Sequence, residues 1–347
     1  MTHTPTHATL QHIANILNFK DNRKLLANTF DALAVDWDTV VMLASQHLML
    51  PALYYQLKRK DLLTHIPPDL ELYLEEISNI NSNRNKILLK EAQEVSALFR
   101  EASIDHVYIK GLAVIAHIAP KDIGARMVGD LDIVIAPHQL HEAFELLQKH
   151  GYTETIEFNY TTENFRHLPR QINPKKMGAI ELHSEVLLYK YRFLIKVTDL
   201  LNNKLFTSGI HIPSEEDSIQ IGIYTTQIND HGHLFGTLNL KPVFDCLVFG
   251  LQNKISFLHK IADVKQANSF LELLSIYFPE FKPNHTTKSS QIIKSYYYFK
   301  LDNPRLGRIS QNTVYYLHEL TERITLLYNN KSYRAHVLKN KLSHKRP

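Results

Sequence analysis

Val128-Gly129-Asp130-Leu131-Asp132-Ile133-Val134-Ile135 sets two carboxylates one residue apart at the head of a β-branched run. Alternation along a strand puts Asp130 and Asp132 on one face with Cα atoms roughly 6 to 7 Å apart, a spacing at which two acids can share divalent metal ions. The continuation Ile133-Val134-Ile135-Ala136 reads as a buried strand rather than a loop. A carboxylate at the mouth of a buried strand is costly unless something cationic meets it. The plain alternative, an Asp-Leu-Asp in an exposed turn before a strand, fits that apolar continuation poorly.

What precedes the pair has the character of an anion site. His106 to Ile109 is a short strand candidate, Lys110-Gly111 follows, and Leu112 to Ile118 reads as a helix. A glycine at a strand-to-helix turn lets a ligand approach the backbone, and the unbonded N–H groups of a helix start favour an anion such as a phosphate. Alone, the dipeptide is more often only an ordinary turn. Lys121 and Arg126 then lead to Asp130 and Asp132, so cations and carboxylates alternate at one end of the expected sheet. Phosphoryl and nucleotidyl transfer require that mixture: carboxylate-held metals clamp the attacking and leaving oxygens while fixed cations absorb charge on the remaining phosphates. A third acid is available in Gly178-Ala179-Ile180-Glu181-Leu182-His183, where Glu181 shares a face with His183. Glu181 would bind the catalytic metal or take the proton of an attacking hydroxyl; otherwise it is an edge-strand acid facing solvent.

At 347 residues the chain exceeds one ordinary domain, and 44% hydrophobic with 21% charged residues is a globular balance, not a disordered one. The expected order is a helical region over 1–88, an α/β core over 89–190, a helical domain over 191–330, and a flexible basic tail over 331–347. In the core, Leu131 to Ile135, Tyr152 to Phe158 and Ala179 to Leu182 supply strands, and His138 to Gln148 an amphipathic helix stopped by Gly151. From about residue 190 the pattern returns to helices: Ser214-Glu215-Glu216-Asp217 has capping-box form, Phe244, Leu247, Val248 and Leu251 mark one amphipathic helix, and Val314 to Leu327 another.

Several classes are disfavoured. A single cysteine, Cys246, excludes a disulfide framework or a multi-cysteine metal site and reads as a small core residue. The twenty histidines are scattered without metal-ligand spacing. No signal-peptide pattern or apolar run of membrane-helix length occurs, so a cytoplasmic location with no membrane association is expected. After Glu322 every charged residue is basic, which reads as a solvated tail or as contact with a phosphate-rich partner. The densest aromatic cluster, Tyr296-Tyr297-Tyr298-Phe299, lacks the interleaved cations of a nucleic-acid surface and suits core packing, so support for nucleic-acid binding is confined to the tail.

Lys110-Gly111, Arg126, Gly129-Asp130-Leu131-Asp132, Gly151-Tyr152, His167-Leu168-Pro169 and Glu181-Leu182-His183 together resemble the bacterial uncharacterised nucleotidyltransferase family, within the polymerase-beta-like superfamily. Trp37, Ala44, His47, Pro51 and Tyr54 resemble its helical start, and His231, Lys241 and Asp245 its C-terminal helices. The resemblance covers most of residues 35 to 250 and implies an α+β fold, a small nucleotidyltransferase-type mixed sheet flanked by N- and C-terminal helical domains. It implies that Asp130, Asp132 and Glu181 are catalytic acids holding Mg2+ or Mn2+, and that Lys110 and Gly111 contact the triphosphate. Arg126 would touch phosphate or orient the acids. Lys241 would reach the nucleotide across a cleft, or form a plain surface ion pair with Asp245 one turn away. His231 and His233 suit core or surface roles.

One departure stands out: the superfamily usually has Gly-Ser or Gly-Gly where this chain has Gly111-Leu112, so a hydroxyl ligand to phosphate is missing. The implied activity is transfer of a nucleoside monophosphate from an NTP to an unidentified acceptor, with pyrophosphate released. The alternative is a catalytically weak NTP-binding or regulatory partner that keeps the fold.

Overall fold

A computed structural model describes residues 5–32, 35–156, 158–160 and 165–342. Helices α1 (Pro5–Leu17), α2 (Arg23–Asp31), α3 (Trp37–Gln46) and α4 (Leu50–Arg59) lead into the long α5 (Pro68–Glu101). The central unit follows: β1 (His106–Tyr108), α6 (Gly111–His117), β2 (Leu131–Ile135), α7 (Leu140–Lys149), β3 (Glu154–Ile156), β4 (Arg170–Ile172) and β5 (Ile180–His183). Then come α8 (Val197–Asn202), β6 (Leu205–Thr207), β7 (Ile210–Ile212), α9 (Glu215–Tyr224), α10 (Gly232–Phe235), α11 (Leu240–Val248), α12 (Ile255–Ala262) and α13 (Lys265–Leu274). The chain closes with α14 (Lys288–Asp302), α15 (Pro304–Asn329) and α16 (Lys331–Leu342).

The sheet is mixed, in the order β1-β2-β5-β4-β3. β2 runs parallel to β5 and antiparallel to β1, while β4 pairs antiparallel with both β5 and β3. The β-branched run of β2 is buried at all five positions, as a central strand requires. Gly151, at φ +93°, ends α7 in the left-handed conformation that glycine adopts without strain.

α5 backs the sheet and holds the loop that feeds it. The Tyr108 hydroxyl donates to the Ala92 carbonyl at 2.8 Å. Residues 118–130 hold only a short 3-10 helix over Pro120–Ala125, so several of their carbonyls need side-chain donors. Asn81 donates to Gly124 and Arg126, Asn85 to Ile123 and Arg126, and Arg84 to Val128. The division expected between 88 and 89 therefore falls inside one continuous helix whose polar middle is buried against the core.

Where helices alone were expected after 190, β6 and β7 form a hairpin. Its two-residue turn, Ser208-Gly209, has φ of 49° and 79°, the pair of left-handed positions a tight hairpin needs. Gln93 donates to the Ser208 carbonyl and Ser208 to that of Ala116, tying the hairpin to α5 and α6. Strands of three residues are too short to show alternation in sequence.

The remaining expectations have clear counterparts. Ser214 caps α9, accepting from the Asp217 amide. Cys246 is fully buried. Tyr297 is buried with its hydroxyl 2.9 Å from that of Tyr277, so the aromatic cluster packs inward in part. Residues 331–342 of the basic tail are helical, and 343–347 lie outside the described residues. Among the described residues no helix is long and apolar enough to cross a membrane.

Candidate functional site

β2 and β5 are parallel neighbours with Asp132 in register with Glu181, so the pleat projects both carboxylates from one face. His183, two residues on, joins them: ligand atoms of Asp132, Glu181 and His183 lie within 4.8 Å of one another. Asp130, just before β2, stands outside that trio.

Each acid meets a cation. Lys110 Nζ lies 2.6 Å from Asp132 Oδ1, and His183 Nε2 lies 2.9 Å from the same oxygen. Burial alone would raise the Asp132 pKa, but Lys110 and His183 hold its carboxyl well below the usual carboxylate range. The ionised acid fixes the imidazole proton on Nε2, and burial keeps His183 neutral against the pull of Asp132. Its buried Nδ1 has no hydrogen-bond partner among the described residues.

Arg170, on β4, spans the other two acids. Its Nη2 lies 2.7 Å from Glu181 Oε1 and 2.8 Å from Asp130 Oδ2. Burial disfavours the Glu181 carboxylate, yet the Arg170 hydrogen bonds outweigh it and the pKa falls. For Asp130 burial prevails over Arg170 and the pKa rises. Arg170 escaped the sequence reading because β4 is only three residues long and polar, and its role depends on antiparallel pairing with β5.

Lys110 has φ 56° and ψ −127°, a conformation costly for any residue with a Cβ. Glycine would occupy it at little cost, so lysine is held there for its ammonium. Lys110→Gly and Lys110→Ala both remove that ammonium, but only glycine relieves the strain. The glycine variant should be about 1 kcal/mol more stable than the alanine variant in urea denaturation, reversing their usual order. Equal stability, or alanine ahead, would count against strain at this position.

Asp130 and Asp132 open onto a cleft of about 330 Å³, enough for a small ligand, whereas Glu181 is not part of its wall. Its walls include Gly111, Gly129, Arg166, Asp230 and Lys241. A Cβ on Gly129 would meet nothing within 4 Å, so that wall is open. Residues Thr225–Asn229 form a π-helical continuation of α9 that lines the far side, a distortion common at functional sites.

Two of the expected contacts differ from the plain sequence reading. Asp245 does not pair with Lys241. It accepts from Arg126 through Nε at 2.6 Å and Nη2 at 2.8 Å, and Arg126 is 4% exposed. The Arg126 fork is thus committed to α11 and positions the loop before Asp130. Lys241, its pKa lowered first by burial and then by Arg126, makes no ion pair among the described residues and faces the cleft. Leu112 is fully buried and offers nothing to the cleft. His231 lies outside the cleft, its ring 4.2 Å from that of His318, and His233 bonds the Gln227 carbonyl.

Two carboxylates and, once Nε2 gives up the proton it shares with Asp132, an imidazole could form a largely buried donor set for a divalent ion; the carboxylates suit magnesium and manganese, and a nitrogen ligand favours manganese. Such an ion would displace Lys110 and Arg170 from the carboxylates. A family model described as an uncharacterised nucleotidyltransferase matches residues 34–224, from the N-terminal helices through the whole sheet to the end of α9. No curated protein matches the chain.

Proposed function

The chain belongs to the uncharacterised nucleotidyltransferase family, and from that premise we propose that it transfers a nucleoside monophosphate from an NTP to an acceptor nucleophile with release of pyrophosphate. The observation that carries this reading is the in-register Asp132–Glu181 pair on adjacent parallel strands, with Asp132 lining a cleft that also holds Lys241, which makes no ion pair among the described residues. A divalent ion, magnesium or manganese, held by Asp132 and Glu181 with Asp130 beside them, would supply charge neutralisation on the phosphates.

The protein's own groups account for the rest. Lys110, released from Asp132, has the reach to follow the triphosphate, and the Gly111 amide at the start of α6 favours its negative charge. Lys241 and Arg166 supply positive charge from the cleft walls. The acceptor attacks the α-phosphorus, the bond from that phosphorus to the bridging oxygen breaks, and pyrophosphate leaves. Where Glu181 does not hold the ion it would take the acceptor proton, a role supported by its lowered pKa beside Arg170.

Incubating the protein with each α-labelled NTP, magnesium or manganese, and cell extract should move label onto an acceptor and release pyrophosphate. Label transferred from γ-labelled but not α-labelled NTP would instead assign a kinase-type reaction. A second reading, NTP binding without efficient turnover, is favoured by one observation: Leu112 is buried where a phosphate-binding hydroxyl is usual. Calorimetric NTP binding with no pyrophosphate from any acceptor pool would select it.

A further inference from the structure

α15 is amphipathic but faces the wrong way for a helix that only completes a core. Its inward side is largely polar: Ser310 bonds the Tyr296 hydroxyl at 3.0 Å, His318 packs on His231, and Gly307 rests on Lys300. Its outward side carries Leu306, Ile309, Tyr316, Leu317, Leu320, Ile324, Leu327 and Tyr328, each between 39% and 81% exposed. At 100° per residue these fall in one stripe. A monomer rarely leaves so continuous an apolar face in water.

Self-complementarity identifies what covers it. The point between Tyr316 and Leu317 is the midpoint of Pro304–Asn329. An antiparallel second copy centred there sets Leu306 against Leu327, Ile309 against Ile324, Thr313 against Leu320 and Tyr316 against Leu317. These positions alternate in steps of three and four, the spacing of a two-helix seam. Charged side chains of the helix meet none of their own sign across the axis: Arg305 falls opposite Tyr328, Arg308 opposite Thr325, Glu319 opposite Val314, Glu322 opposite Gln311 and Arg323 opposite Ser310. The exposed apolar side chains present on the order of 800 Å², what one partner contributes to a standard interface.

We propose that α15 is a homodimer interface in which two copies of this chain pack their helices antiparallel about that midpoint, an isologous contact. Sedimentation velocity on the full chain across a micromolar series should give a dimer that dissociates on dilution. Leu320→Asp and Ile324→Asp should shift the dissociation constant at least a hundredfold towards monomer. Both residues are exposed, so the thermal melt of the monomer should stay unchanged.

Register is tested separately by cross-linking, since the native Cys246 is buried. Leu306→Cys with Leu327→Cys in one chain should give covalent dimers with a short bis-maleimide, and Leu306→Cys alone should not. A wild-type monomer at every concentration overturns the proposal and leaves the face to a different protein. A dimer indifferent to Leu320→Asp, or efficient linking through Leu306→Cys alone, also overturns it.

Discussion

Asp132→Asn should lower NTP turnover roughly a thousandfold or more while leaving a cooperatively folded protein. Asp132 is the carboxylate on which Lys110 and His183 converge, and its Cα partner across the parallel pairing is Glu181. Asparagine keeps the shape and an acceptor oxygen for both neighbours but lacks the charge needed to hold a divalent ion. The structural cost is about 1–3 kcal/mol, because the His183 hydrogen bond becomes a neutral one and the Lys110 ammonium loses its counter-charge. Pyrophosphate release and urea denaturation, measured on the same preparation, separate the two effects. Turnover within tenfold of the parent would contradict the role given to Asp132. Asp130→Asn should act in the same direction and less severely, since Asp130 stands outside the trio and is tied to it through Arg170.

The largest stability effect should come from Asp245→Asn. The Arg126 guanidinium is buried and places two donors on the Asp245 carboxylate, linking the loop before β2 to α11. Removing the carboxylate leaves a buried cation without its counter-charge, which costs about 3–5 kcal/mol. Replacing both partners, with Arg126→Met and Asp245→Leu, should recover most of that loss, because no uncompensated charge remains. A four-member urea cycle gives the coupling directly; a single-variant loss below about 1 kcal/mol would contradict this account. In the double variant, activity should remain low even where stability returns, since the loop carrying Asp130 is no longer anchored to the cleft wall.

The parts of the fold visible in sequence are those with strong local patterns. Leu131–Ile135 is a run of apolar and β-branched residues, interrupted by one acid, and forms β2 as expected. Lys110-Gly111 lies at the β1–α6 turn, and Gly151 stops α7, for backbone reasons a sequence displays. The less visible parts depend on partners distant in the chain. Ser78, Asn81 and Asn85 look like solvent-facing positions because they are polar, yet they are buried with the asparagines bonding loop carbonyls some forty residues away. Arg170 acquires its role only when β4 folds back on β5.

The site shows the same division. Asp130, Asp132 and Glu181 were legible as acids in strand patterns, and Lys110 as a cation beside a helix start. Which cation meets which acid was not, because Lys110 to Asp132 and Arg170 to Glu181 are set by strand register. The partner of Asp245 was obscured for a different reason. Lys241 is one helical turn away and has the right charge, whereas Arg126 is distant in sequence but buried beside it, where desolvation strengthens the pairing. The apolar stripe of α15 was legible as amphipathic, but its outward orientation follows from how α14 and α10 hold the helix.

The central claim, that the β2–β5 acids form a metal–nucleotide site, is tested most directly by crystals grown with manganese and a non-hydrolysable NTP. Anomalous scattering at the manganese edge should show a peak bonded to carboxylate oxygens of Asp132 and Glu181, with Lys110 moved from Asp132 onto the phosphates and the triphosphate lying against Gly111 and Lys241. Nucleotide bound elsewhere, or no peak at the acids with Lys110 still on Asp132, would contradict it.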